Sequence, residues 1–142
     1  MAQQTPSVPR TGAASTGIVG GGKNPSGPGP QIMSSSTLEG DDIVNMGGEK
    51  LGSLEEIMID VPRGRVAYAV LSRGGVLGVG GKLFAIPWSA FTLDADHKRL
   101  VLDIDADRLD RAEGFDKDNW PRMADVSWAT QLHEYYDQPP YW

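Results

Sequence analysis

Between Ile43 and Ile104 the apolar residues fall in short runs broken by Gly, Pro and Asp, and no run keeps the three-to-four-residue spacing of a long helix. That pattern predicts strands. Ile43-Val44-Asn45-Met46 reads as the first, with Gly47-Gly48 as the turn after it. From Leu51 to Asp60 the apolar positions change phase, Leu51 and Leu54 giving way to Ile57 and Ile59, and a β-bulge or strong bend would produce that slip. Pro62-Arg63-Gly64 offers a fixed φ and then a residue tolerant of positive φ, so a tight turn leads into the next strand. There Val66, Tyr68 and Val70 line one face and Ala67, Ala69 and Leu71 the other; both are apolar, which predicts cover on both sides. Lys82 to Ile86 forms another strand that Pro87 ends. Trp88 to Phe91 has room for one helical turn, Asp94 to His97 for a turn, and Leu100 to Ile104 for a last strand. Asp105 is placed to cap a short helix over Ala106 to Arg111. Short strands at this spacing predict an all-β domain over residues 40–113, a small antiparallel barrel.

The flanks differ in kind. Residues 1–36 hold no aromatic residue and only two charges, Arg10 and Lys23, among Gly, Pro, Ser and Thr. Such a stretch buries too little to offset its chain entropy and is expected to be disordered. Residues 114–142 carry seven of the eleven aromatic residues. A helix from about 125 to 136, capped by Asp125, would place Trp128, Leu132 and Tyr135 along one stripe, which must rest on the barrel or on another subunit.

Charge and composition narrow the chemistry. A formal net charge of −6 disfavours nucleic acid, because phosphate binding needs a basic surface. The absence of cysteine excludes disulfides, thiolate catalysis and Cys-ligated zinc. No long apolar run suggests a membrane segment or signal peptide, so a cytoplasmic protein without membrane insertion is expected. The alternating carboxylates Asp103, Asp105 and Asp107 begin like a calcium loop, yet Arg108 and Gly114 stand where Gly and Glu are needed. The run Gly74 to Gly81 lacks the Gly-Lys-Ser/Thr ending of a phosphate cradle. His97 near Asp94 and Asp96 is better explained by a turn, His133 is isolated, and Glu55 and Glu56 are neighbours on a strand whose faces alternate. No cofactor, metal or catalytic residue is expected, and the chain reads as no enzyme.

The segments Leu51 to Asp60, Gly64 to Val70, Gly78 to Lys82 and Ala85-Ile86-Pro87-Trp88 resemble the PRC-barrel domain, and Phe115 to Pro121 looks like the tail of stand-alone bacterial members. That family is named for the cytoplasmic domain of the photosynthetic reaction-centre H subunit, and a similar barrel ends a ribosome-maturation factor. The resemblance implies a PRC-type barrel acting as an adaptor or assembly module, with Gly52, Asp60, Gly64, Gly78, Pro87 and Trp88 in structural roles. The expected function is non-enzymatic protein interaction, with a protein partner or a second copy in a homo-oligomer. Trp88, Trp120, Trp128, Tyr135, Tyr136 and Trp142 are the candidate interaction surface, because Tyr and Trp are enriched at interfaces. The alternative is a sensor that binds a small molecule in the barrel or a cation along the acidic segment 94–118.

Overall fold

The computed structural model describes residues 15–21, 29–74 and 81–142. Residues 75–80 of the glycine-rich run, Gly78 among them, therefore lie outside the described residues, as do 1–14 and 22–28 of the N-terminal extension. The elements are β1 (Gly17–Val19), α1 (Ser35–Leu38), β2 (Asp42–Val44), β3 (Lys50–Asp60), β4 (Arg65–Arg73), β5 (Lys82–Pro87), a 3-10 turn (Trp88–Ala90), β6 (Phe91–Asp94), β7 (Arg99–Leu102), α2 (Ala106–Asp110) and α3 (Val126–Tyr135). The seven strands form one sheet in the order β1-β6-β7-β2-β3-β4-β5.

Several expectations change. The sheet is not purely antiparallel, since β2 runs parallel to β7 and β1 parallel to β6. Parallel pairing needs a long connection, and the whole meander from β3 to β6 separates β2 from β7. Among the described residues the sheet is also not closed by hydrogen bonds, because β1 and β5 end it without pairing to each other. The extension expected to be disordered contributes β1: Val19 C=O accepts from the Ala95 N–H (2.9 Å), Thr16 Oγ1 donates to Trp88 O (2.7 Å) and Gly21 N–H donates to Asp96 (2.8 Å). Backbone pairing, not burial, holds it, for all three strand residues are exposed. Strand β6 is also unexpected. Its four residues bury Phe91 and Leu93 but are too few to show a period. The last strand stops at Leu102, and Asp105 makes no side-chain capping bond to α2.

Two bulges shape the β3–β4 hairpin. Leu54 pairs with Leu71 and Glu56 with Val70, so Glu55 is the extra residue that shifts the apolar phase. Met58 pairs with Tyr68 and Ile59 with Val66, which leaves Ala67 extra on β4. This second bulge moves Ala67 away from Ala69 and Leu71: it packs with Tyr68 and Ala129, while Ala69 and Leu71 stay in the main core with Ile43, Phe84, Ile86, Phe91, Leu100 and Leu109. Gly52 permits the hairpin to pack closely. A Cβ there would meet the Ser72 carbonyl oxygen and lie 2.8 Å from Leu71 Cδ2.

The outer face of β4 is covered by the chain's own C-terminal segment. The Asp125 carboxylate accepts from the Ser127 N–H (2.9 Å) and Trp128 N–H (3.4 Å) at the start of α3. Tyr68 meets Trp128, His133 and Tyr141 edge-on, with ring centroids 5.5, 5.6 and 5.8 Å away. A further strand-like contact ties the segment to β5, where Leu83 and Phe115 exchange backbone hydrogen bonds of 2.9 and 2.8 Å. His133 is 1% exposed. Its Nδ1 faces the Ala129 carbonyl at 2.7 Å and so carries the proton, which leaves Nε2 bare and without a partner among the described residues.

Two outcomes follow from this packing. Gly52→Ala is expected to lower stability by about 1–3 kcal/mol in urea unfolding, because the Ser72 backbone stands in the way; an unchanged midpoint would refute the close approach. Burial lowers the His133 pKa from 6.5, so the unfolded chain takes up a proton that the fold refuses. Stability is therefore full above about pH 6.5 and declines as pH falls below it, until the folded imidazole itself titrates. Unfolding measured from pH 7.5 to 5 should show this decline flatten in His133→Leu, and an identical slope in the variant contradicts it.

Candidate functional site

At the turn end of the β3–β4 hairpin two grooves adjoin. The larger, of about 690 Å³, runs between Ile18, Met33, Ile57, Val66, Trp88 and Leu93; the smaller, of about 400 Å³, between Met58, Val61, Tyr68, Met123, Val126 and Trp142. Ile59 and Tyr141 line both. The second bulge creates this arrangement by turning Val66 towards the larger groove and Ala67 towards the smaller.

Asp60 holds the end together. Its carboxylate accepts from the Arg63 N–H (3.0 Å), the Arg63 guanidinium (3.0 Å) and the Tyr141 hydroxyl (2.5 Å). Tyr141 and the Arg63 backbone hold this carboxyl below the usual carboxylate range. Burial, reinforced by the carboxylate, pushes the Tyr141 phenol up to about 12, so it remains a donor at neutral pH. Burial likewise raises Tyr68, whose hydroxyl has no hydrogen-bond partner among the described residues. Arg65 completes the link, donating to the Tyr141 carbonyl at 2.7 Å. Gly64, at φ +66°, makes the turn in a conformation that favours glycine.

Exposed apolar side chains gather around this end. Ile59 is 58% exposed, Val61 81%, Val126 64% and Trp142 39%, and all four line the smaller groove. Sequence reasoning selected Trp142 and missed the three aliphatic residues. Val61 did carry a signal, as an apolar residue inside a turn where polar ones are usual.

The six aromatic candidates do not form one surface. Trp128 and Trp142 belong to the cluster around Tyr68 and His133, and Trp88 lines the larger groove. Trp120 packs against Phe115 with the rings tilted and their centroids 4.9 Å apart. Tyr135 lies under the Arg108 guanidinium and donates its hydroxyl to Arg108 O at 2.5 Å, while Tyr136 is buried in the main core. Of the structural candidates, Gly52 and Gly64 permit the packing and turn described, Asp60 forms the clasp, and Pro87 pairs with Tyr68 at the end of β5.

Two carboxylates of the acidic segment are engaged in internal pairs. Asp94 accepts from Arg99 (3.1 Å) and faces His97 (2.9 Å), and Asp110 pairs with Arg73 (2.7 Å). Among the described residues no group of three or more His, Asp or Glu is placed to hold a metal ion, and no helix is long and apolar enough to cross a membrane.

Comparison with known proteins gives one family. The model of the PRC-barrel domain matches residues 30–109, from before α1 into α2. Comparison with the curated proteins yields no match. Among solved structures the chain is similar to RimM of Pseudomonas aeruginosa, described as a 16S ribosomal RNA processing protein, at 20% identity and a TM-score of 0.38. That likeness covers 55% of this chain and 46% of the other, so the match spans about half of each and bears no functional argument. The family match takes in β2 to β7 together, and with it the strands, the bulged hairpin and the core they enclose: the chain belongs to the PRC-barrel domain family.

Proposed function

We propose that this protein is a non-enzymatic interaction module, which uses the hairpin end of its barrel to bind a protein in an assembly. One observation carries the reading: four of the large exposed apolar side chains, Ile59, Val61, Val126 and Trp142, border a single groove. Scattered apolar residues are ordinary on a surface, whereas a contiguous set with a rim of polar groups marks a site of association. Asp60 and Arg63, which also line this groove, supply that rim. The aromatic residues contribute in two ways, Trp142 as a surface group and Trp128 by fixing the wall beneath it. A cytoplasmic setting suits such a role.

A second reading draws on the larger groove, whose volume suits a small apolar molecule with one anionic group facing Arg65. Binding there would raise the melting temperature in a metabolite panel, as linkage requires of a ligand that prefers the folded state.

For the main reading, Val61→Asp with Val126→Asp is the decisive variant. Both side chains are exposed, so the melting temperature should stay within a few degrees of the parent. Proteins retained by the native chain on a column should be lost by the double variant. Retention of the same proteins by both would show that the groove is not the binding surface.

A further inference from the structure

The larger groove, of about 690 Å³, takes its walls from distant parts of the chain. The β3–β4 hairpin gives Ile57, Ile59 and Val66, the N-terminal extension gives Ile18 and Met33, and Trp88 and Leu93 complete the apolar lining. The extension is fastened to that lining. Ile18 pairs beside Leu93, and Thr16 Oγ1 donates to Trp88 O at 2.7 Å. Yet β1 buries little by being there, since all three of its residues are exposed. Apolar side chains that border open space leave contacts unmade, and an apolar guest would supply them.

The sign of the lining is opposite to that of the chain. Asp and Glu outnumber Lys and Arg by 19 to 13, yet no carboxylate stands among the described residues that line the groove, and Arg65 is their one cation. The extension adds none, because the first carboxylate of the sequence is Glu39. Arg65 is exposed, and among the described residues only its Nη1 is engaged, by the Tyr141 carbonyl at 2.7 Å. Asp60 lies opposite Arg65 in the hairpin register, but its carboxylate is held by Arg63 and the Tyr141 hydroxyl. The other guanidinium nitrogens thus form a planar edge at the rim of the groove, a shape that fits a carboxylate.

We infer that the larger groove binds a free aliphatic carboxylate, its head on Arg65 and its chain along Ile57, Val66, Trp88 and Leu93. This rests on the second reading above and gives its ligand a chemical class. One arginine balances one negative charge. A phosphate, with about two charges, would leave one uncompensated beside apolar walls. A cation would meet Arg65 with no carboxylate in the lining to offset it, and an uncharged chain would forgo the guanidinium. The polar residues of the lining, Ser15, Thr16, Gln31 and Ser35, are uncharged and oppose no anion. A bound chain would also cover Ile18, giving β1 a burial that backbone pairing alone does not.

Titration of the full chain with sodium decanoate, below micelle formation, tests this, beside decanol as the same chain uncharged and decyltrimethylammonium as the same chain with the opposite charge. Decanoate should raise the melting temperature and shift the amide resonances of Ile57, Val66 and Trp88. Decanol should bind at least about tenfold more weakly, and the cation should do neither. Arg65→Gln should weaken decanoate at least about tenfold and leave decanol unchanged; Met33→Trp, which fills the groove from the loop ahead of α1, should block both. A melting temperature that falls with decanoate, binding no tighter than that of decanol, or binding indifferent to either variant would overturn the inference. If a variant does not fold, hydrogen exchange on the native chain decides instead: the amides of residues 17–19 must gain protection with decanoate, and unchanged exchange refutes the site. Failure of decanoate while another compound of the metabolite panel binds the native chain and is blocked by Met33→Trp would sink the carboxylate and leave the groove reading standing.

Discussion

β4 has no face it can give to water, and the rest of the molecule is organised by that constraint. Ala69, Val70 and Leu71 are fully buried, and Tyr68 is 1% exposed. Inward, Ala69 and Leu71 join the core enclosed by the curled sheet; outward, Tyr68 requires a second layer. Strands cannot supply it, because β3 and β5 already flank β4 in the plane of the sheet. The C-terminal segment does so with α3 and the rings of Trp128, His133 and Tyr141. Aromatic rings suit the task, since each buries a large apolar area and edge-to-face contacts add to it.

The cover then determines the character of the hairpin end. Tyr141 reaches back to Asp60, so the turn between β3 and β4 is fastened to the segment that lies across β4. A clasp of this kind fixes Val61 and Ile59 in exposed positions beside Val126 and Trp142. The apolar surface is therefore a consequence of the same packing that buries Tyr68. Rigidity matters here, because a preformed surface loses less entropy when a partner arrives.

Much of the barrel was legible in the sequence because strand periodicity and turn chemistry are local. The phase change between Leu54 and Ile57 announced the bulge at Glu55, and the two apolar faces of β4 announced its double cover. The bulge at Ala67 left no such trace, since Val66 and Ala67 are both apolar and a shift between them alters nothing in the pattern. Strand β1 was illegible for a different reason: it is held by main-chain bonds to β6 that Gly-rich composition conceals. The site was less visible than the fold. Ile59, Val61 and Val126 are ordinary residues in sequence, and only the meeting of a turn with a helix start makes them neighbours.

The claim that the C-terminal segment is the outer layer of its own barrel is tested most directly by ending the chain after Glu113. Thermal unfolding and light scattering would be compared with those of the full chain. Loss of the layer should lower the melting temperature sharply and cause association through the uncovered Tyr68 face. A truncated chain that melts at the same temperature and stays in the same state of association would contradict the account.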